Sequence, residues 1–297
     1  MPDLHLEKAH CQELTHPALL PKGCEAAVLR LDLLHPIVSG NKWFKLRYYI
    51  EQALQQQKKR IITFGGAWSN HLLATAYACK QFGLGSAALV RGERPAVLSQ
   101  TLQQVDSMGM KLFFLSREDY RQKKIPEQLV TDSDYLIDEG GVGELGVQGA
   151  ATLLDSVEMQ RYSHIICAAG TGTTLAGIIS AAPQTCSIIG IPVLNDHGTI
   201  EQTLHRYVHN KSAKWQLLPN YAWGGYAKHP PALLSFMNAF YEQTKIPTDI
   251  VYTSKLFYAC LHLVENNFFD PGSRLLIIHS GGLQGNRSLP AATFCFT

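Results

Sequence analysis

The sequence predicts an α/β protein built on largely parallel sheets, and three observations carry that reading. Short apolar runs recur along the chain with segments of helical pattern between them. Several runs are continuous rather than alternating, as in strands covered on both faces. Small and polar residues stand where such runs end, which is where open α/β sheets bind ligands. Strands are expected at Val28–Leu34, Ile61–Phe64, Ala87–Val90, Lys111–Leu115, Tyr135–Ile137, His164–Cys167, Ser187–Val193 and Leu275–His279. Helices are expected at Lys42–Gln57, Asn70–Phe82, Ala96–Met108, Gly149–Arg161, Thr174–Ala181 and Ser254–Glu265.

The 297 residues allow two packed units, and 46% apolar with 17% charged residues is the composition of an ordinary globular protein. A formal charge of +2, with acids and bases interspersed, argues against a nucleic-acid partner. The clusters Lys58-Lys59-Arg60 and Lys123-Lys124 read as solvated ends of helices or loops. Seven scattered cysteines without a CxxC pair argue against a disulfide framework and a structural zinc site, and fit reduced thiols. No signal-peptide pattern opens the chain and no stretch is apolar enough to span a bilayer, so a cytoplasmic protein with no membrane partner is expected. No linker composition marks a boundary, which fits an inserted domain and a single large sheet equally.

Four segments carry candidate chemistry. Gly170-Thr171-Gly172-Thr173-Thr174 follows a strand and opens a helix, where backbone N–H groups and threonine hydroxyls can cradle a phosphate. It is neither a Walker loop nor GxGxxG, and a plain tight turn explains it as well. Ser39-Gly40-Asn41-Lys42-Trp43-Phe44-Lys45-Leu46 places two lysines at a helix start, where desolvation would free an amine for covalent chemistry; solvated helix lysines are the simpler alternative. Phe64-Gly65-Gly66-Ala67-Trp68-Ser69-Asn70-His71 runs from a strand into a helix. There Ser69 and Asn70 either cap the helix or touch a ligand. Ser69 is not in a GxSxG elbow, which excludes a serine hydrolase of that type. His279-Ser280-Gly281-Gly282 ends the last strand and by itself is an ordinary turn.

Taken in order, these segments resemble the fold-type II pyridoxal-phosphate enzymes of the 1-aminocyclopropane-1-carboxylate deaminase and D-cysteine desulfhydrase group. Gly40-Asn41-Lys42-Trp43-Phe44-Lys45-Leu46 is similar to the family's Gly-Asn-Lys-x-x-Lys-Leu, and the resemblance implies that the second lysine, Lys45, holds pyridoxal 5'-phosphate. By the same resemblance Asn70 meets the cofactor's phenolic oxygen, while Ser69, Asn70 and His71 face the substrate and Trp68 shapes its pocket. Leu145–Gly149 resembles the segment leading into the helix before the phosphate loop, and Gly170, Thr171, Gly172, Thr173 and Thr174 occupy the phosphate loop itself. Gly224-Gly225-Tyr226 and Val251-Tyr252-Thr253-Ser254-Lys255 resemble two substrate segments, which gives Tyr226 and Tyr252 roles at the reacting centre. Ser280 approaches the pyridine nitrogen. The likeness spans about Val28 to Gly282. It implies two three-layer α/β domains: a large one from residues 1–45 plus 161–297 and a small insert at 46–160. It also implies a homodimer.

The implied reaction is β-elimination from a small amino acid. Lys45, displaced by the substrate amine, would remove the Cα proton; a group then leaves Cβ, and hydrolysis gives a keto acid and ammonia. Ring-opening deaminases of this group carry a glutamate where this chain has Thr253, and a glutamine where it has His71. Both positions match the desulfhydrases, which make sulfide, pyruvate and ammonia from D-cysteine. Ring opening of 1-aminocyclopropane-1-carboxylate to 2-oxobutyrate is the alternative, and a non-catalytic cofactor-binding protein is the third. The chain departs from the pattern at Arg30-Leu31-Asp32, Trp68, Leu72-Leu73 and Leu283-Gln284-Gly285, and Trp68 would narrow the pocket.

Overall fold

Continuous apolar runs become strands buried on both faces. The computed structural model describes residues 9–195, 198–209 and 213–296. Its strands are β1 (Cys11–Glu13), β2 (Glu25–Arg30), β3 (Arg60–Gly65), β4 (Gly85–Arg91), β5 (Lys111–Leu115), β6 (Asp134–Ile137), β7 (His164–Ala169), β8 (Ser187–Pro192), β9 (Lys214–Leu217) and β10 (Arg274–His279). The helices are α1 (Lys42–Gln55), α2 (Asn70–Gln81), α3 (Gln100–Ser107), α4 (Arg117–Arg121), α5 (Glu144–Ala151), α6 (Thr173–Ala181), α7 (Thr199–Tyr207), α8 (Pro231–Thr244) and α9 (Thr253–Glu265).

Two sheets form. One has six strands in the order β1-β2-β10-β7-β8-β9, parallel except for β1. The other has four parallel strands in the order β5-β4-β3-β6. In β7 the two-residue period sends Ile165, Cys167 and Ala169 into one core, with α6 and α7, and Ile166 and Ala168 into the other, with α9. Helices on both faces of a parallel sheet are the architecture the alternation of elements predicts.

Of residues 46–160, the stretch 60–137 supplies the whole four-stranded sheet. Val147, Ala150, Leu153 and Leu154 pack instead in the core of the six-stranded sheet, with Ile165 and Leu175. By packing, the chain has rejoined that sheet's core by Val147. The helix expected at Gly149–Arg161 is displaced too. α5 begins at Glu144, and 3-10 turns at Thr152–Leu154 and Met159–Arg161 follow it. Leu145–Gly149 therefore lies inside a helix rather than leading into one. Glycines lower intrinsic helix propensity, but here they admit backbone: a Cβ on Gly149 would overlap the carbonyl of Phe44 in α1. Strand β2 stops at Arg30, where Leu31–Leu33 turns and Arg30 pairs with Asp32, short of the expected Leu34. β1, β9, α4, α7 and α8 had no counterpart in the periodicity reading.

Candidate active site

The carboxyl ends of β2, β3, β6, β7 and β10 open on one cleft, and the loops there bind each other directly. The amide of Asn41 donates to Ser280 O at 3.2 Å and that of Gly40 to Leu31 O at 2.8 Å. Gly40 has φ 76°, and a Cβ on it would overlap the Ser280 carbonyl, so only glycine fits. Gly40→Ala is expected to lower stability by about 1–3 kcal/mol or more, read as a fall in the thermal unfolding midpoint.

Lys42 and Lys45 share one face of α1, a turn apart. Lys42 Nζ donates to Asn41 Oδ1 at 2.7 Å and stands 5.7 Å over the Tyr252 ring. Burial brings its pKa down to about 8, with the carboxylate of Asp249 pulling the other way. Lys45 is 4% exposed; burial first and the Lys42 charge second push it well below the ordinary lysine range. Its amine faces the glycine–threonine loop. The point a Cβ on Gly140 would occupy is 3.8 Å from Lys45 Nζ and 3.6 Å from Thr171 Cγ2.

That loop opens α6. Gly172 is its N-cap and brings no side-chain cap, so the first N–H groups, at Thr173, Thr174 and Leu175, have no acceptor within the helix. With the helix dipole they form an anion cradle. Thr171 Oγ1 lies 3.1 Å from Thr173 Oγ1, and Asn41 Nδ2 donates to Thr174 Oγ1 at 2.8 Å, tying the cradle to the lysine helix. Tyr252 closes in from α9: a Cβ on Gly170 would lie 3.2 Å from its ring. Burial raises the Tyr252 hydroxyl, which stays protonated.

Ser69 caps α2, its Oγ accepting from Leu72 N at 3.2 Å, which is the capping alternative raised by the sequence. Asn70 reaches the last loop, since a Cβ on Gly282 would meet its Nδ2 at 3.0 Å. His71 is buried, with Nε2 2.9 Å from Thr63 Oγ1. The Thr63 hydroxyl gives its one proton to Ile137 O at 2.7 Å, so the histidine must donate and Nε2 carries the hydrogen. Nδ1 is then a bare acceptor, without a partner among the described residues. Burial first, then Lys45, Lys42 and Lys123, hold the ring neutral. Trp68 is half-buried, Ser280 is buried, and Tyr226 is 56% exposed.

Thr253 does not offer its side chain to the cleft. Its Oγ1 donates to Asp249 Oδ1 at 2.8 Å and accepts from Asp249 N at 2.7 Å. Asp249 is a residue that sequence reasoning missed. Its buried carboxylate also takes the amides of Val251, Tyr252 and Thr253 at 2.7–3.0 Å, and so sets the start of α9 and with it Tyr252. An aspartate just ahead of an apolar helix was the available signal. A second buried group, Arg30–Asp32–His279, braces the Ser280 loop. Arg30 binds Asp32 twice, at 2.8 and 2.6 Å, and His279 Nδ1 accepts from Gly281 N at 3.3 Å. Burial is the largest single influence on the Asp32 carboxylate and raises its pKa, but the bonds from Arg30, the charges of His279 and Arg30 and a backbone amide together outweigh it, and the pKa falls.

The fold and site together define a class: an α/β protein with a half-buried and a buried lysine, both deprotonatable, beside a helix-terminal anion cradle. The model of the family described as "Pyridoxal-phosphate dependent enzyme" matches residues 14–281, and the chain belongs to that family. It is 27% identical over 286 residues to a Pyrococcus abyssi protein provisionally named 1-aminocyclopropane-1-carboxylate deaminase, covering 89% of this chain and 86% of that one. It is also 27% identical over 311 residues to a mitochondrial bifunctional D-cysteine desulfhydrase/1-aminocyclopropane-1-carboxylate deaminase of Arabidopsis thaliana, covering 90% and 74%. A crystal structure described as an ACC deaminase homologue has a TM-score of 0.78 at 24% identity over 96% of this chain and 92% of that one. Among the described residues no group of three or more histidine, cysteine or acidic side chains is placed to hold a metal, and no helix is long and apolar enough to cross a membrane.

Proposed function

We propose that this chain is a pyridoxal-phosphate-dependent lyase acting on a small amino acid, and one observation carries the reading. A half-buried and a buried lysine amine, an uncapped helix terminus and an unpartnered histidine acceptor stand together where the strand-end loops are bonded to each other. A cofactor with a phosphate and an aldehyde fits that set: the α6 terminus with Thr171, Thr173 and Thr174 would hold the phosphate, and a free lysine amine would make the covalent link. Ser280 and Asn70 would meet the ring's polar edge.

The resemblance assigns the covalent link to Lys45, and geometry favours Lys42. Lys45 points at the phosphate cradle, where an adjacent dianion would restore its charge. Lys42 stands over Tyr252, on the aromatic side where a ring would stack. We therefore assign the link to Lys42 and a phosphate contact to Lys45. Borohydride reduction of the holoenzyme followed by peptide mapping tests this: the pyridoxyl label is expected on Lys42, and a label on Lys45 restores the first assignment. Because Lys42 must be uncharged to react and its pKa is brought down to about 8, capture of cofactor by the apo-protein is expected to accelerate with pH through that value and then level off. A rate that is flat from pH 7 to 9, bracketing that pKa, would contradict it.

When bound, pyridoxal phosphate supplies an electron sink for bond breaking at Cα. Lys42, once its amine is free, would hold and move the Cα proton. The first N–H groups of α2 and the Asn70 amide orient the substrate carboxylate, and His71 Nδ1 accepts a hydrogen bond. Trp68 and Tyr226 shape the mouth of the pocket. Within this reading we favour β-elimination from D-cysteine to sulfide, pyruvate and ammonia. The support is His71, together with the absence of a carboxylate at Thr253, whose hydroxyl is turned into the Asp249 cap. Sulfide release from D-cysteine and not L-cysteine is the expected result. Release of 2-oxobutyrate from 1-aminocyclopropane-1-carboxylate without sulfide from either enantiomer supports the ring-opening alternative, which draws on the names of relatives. A homodimer in the cytoplasm, implied by the resemblance and by the sequence features above, completes the proposal and is checked by sedimentation and cell fractionation.

A further inference from the structure

Lys255 has no part in the chemistry above, yet it is one of the largest fully buried side chains, at 0% exposure. Its Nζ donates to three backbone carbonyls: Val193 at 2.9 Å, Ala222 at 2.8 Å and Gly225 at 2.7 Å. No carboxylate lies within ion-pair distance of it among the described residues. The acceptors count the protons. An ammonium has three N–H donors for three carbonyls, whereas a neutral amine has two and would set its lone pair against the third carbonyl oxygen; Ala222 O and Gly225 O each accept a turn amide as well, and Val193 O relies on the lysine. A lysine in this place is costly as mere filling, because an apolar chain of the same length would occupy the volume without a buried charge.

The three carbonyls belong to two separate places. Val193 follows the carboxyl end of β8, while Ala222 and Gly225 lie in the turn that carries Tyr226. That turn is strained: Trp223, Gly224, Gly225 and Ala227 have φ of 53°, 86°, 111° and 52°, and two of them are not glycine. Such a backbone persists only where its surroundings over-determine it. Apart from its own turn bonds, its backbone takes a long contact of 3.4 Å from Asn195 Nδ2 to Gly224 O, while the Trp223 ring stands edge-on to Tyr258 at 4.8 Å and Ala227 packs near Met237 and Ile250. Lys255 itself is fixed one helical turn after Tyr252.

We propose that the Lys255 ammonium is a positioning residue that acts as a built-in monovalent cation. It coordinates the carbonyls of Val193, Ala222 and Gly225, pins the strained 222–227 turn to the end of β8, and so sets Tyr226 over the cleft. The pin stands on geometry alone; the part concerning Tyr226 rests on the function proposed above.

Chemical rescue tests it. In the Lys255→Ala holoenzyme, amide hydrogen exchange at residues 222–227 is expected to accelerate by at least about tenfold, the factor corresponding to loss of one charge-assisted hydrogen bond. Exchange in β7 and β10 should stay as in the parent. Methylammonium chloride, which fits the space left by the side chain and has three N–H donors, should restore protection, while tetramethylammonium chloride at equal ionic strength should not. With the turn loosened, KM should rise more than kcat falls, and methylammonium should reverse the change. Unchanged exchange at 222–227, acceleration spread evenly over the chain, or equal rescue by both salts overturns the pin. A restored turn with KM unmoved throughout keeps the pin and overturns the role of Tyr226. Should Lys255→Ala not fold, Lys255→Met, which preserves the volume, carries the same exchange and kinetic comparison without the rescue arm.

Discussion

Lys42→Ala is expected to remove the visible absorbance of the cofactor-bound protein and to lower turnover by at least about 10³-fold, within the range seen when a positioned proton-transfer group is lost. Lys45→Ala should differ in kind. Its amine faces Thr171 across the space beside Gly140, so its loss should weaken retention of the cofactor phosphate while the colour survives at saturating cofactor. The two variants also act on each other, since the Lys42 charge helps lower the Lys45 pKa. Titration of cofactor into each apo-protein, followed by absorbance and by turnover of D-cysteine, separates the roles. Colour lost in Lys45→Ala and kept in Lys42→Ala would exchange them.

Asp249→Ala is expected to cost about 3–5 kcal/mol of stability, the scale for breaking a buried polar network from one side. Three backbone amides and the Thr253 hydroxyl would lose their acceptor together in a buried place. Unlike a surface cap, the carboxylate has no water to replace it, and the side chain is 1% exposed. Asp249→Asn keeps one acceptor oxygen and should lose less. Denaturant unfolding of the three proteins gives the order parent, Asn, Ala. Near-equality of Ala with parent would mean that α9 starts without the cap. Because the same helix start carries Tyr252, the Asn variant should also change the stacking surface and weaken cofactor binding at constant fold.

The sheets were legible because their signal is local: β7 reads as an unbroken apolar run, and its two cores follow from a two-residue period. α5 was misplaced because its helix depends on close approach to α1, which no window of sequence contains. Ser69, Asn70 and the threonine loop could be picked out as strand-end residues and the lysines as helix-start residues, but their grouping came from the ordered resemblance and not from spacing. Thr253 was identified by position while its direction was invisible, since the aspartate that turns it away lies four residues upstream. Arg30-Leu31-Asp32 and His279 were visible as separate segments, but their union was not, because β2 and β10 are far apart in the chain and adjacent in the sheet. The proposal of Lys42 over Lys45 draws on three dimensions: residues on one helix face differ in what stands opposite them.

The double attachment of α1 has a mechanical consequence. At its start Asn41 is bonded to Thr174 in the first turn of α6 and to Ser280 in the loop after β10, both belonging to the six-stranded sheet's layer. One turn on, Leu46, Ile50 and Ala53 are packed with Ile61 and Ala74 of the four-stranded layer. The ties to the six-stranded body continue past the first turn, since Arg47 Nη1 donates to Thr152 Oγ1 at 3.1 Å and Phe44 packs on that core. α1 thus acts as a rivet through both layers, and the two lysines stand at the riveted end, so a load on either sheet reaches them through the same few contacts.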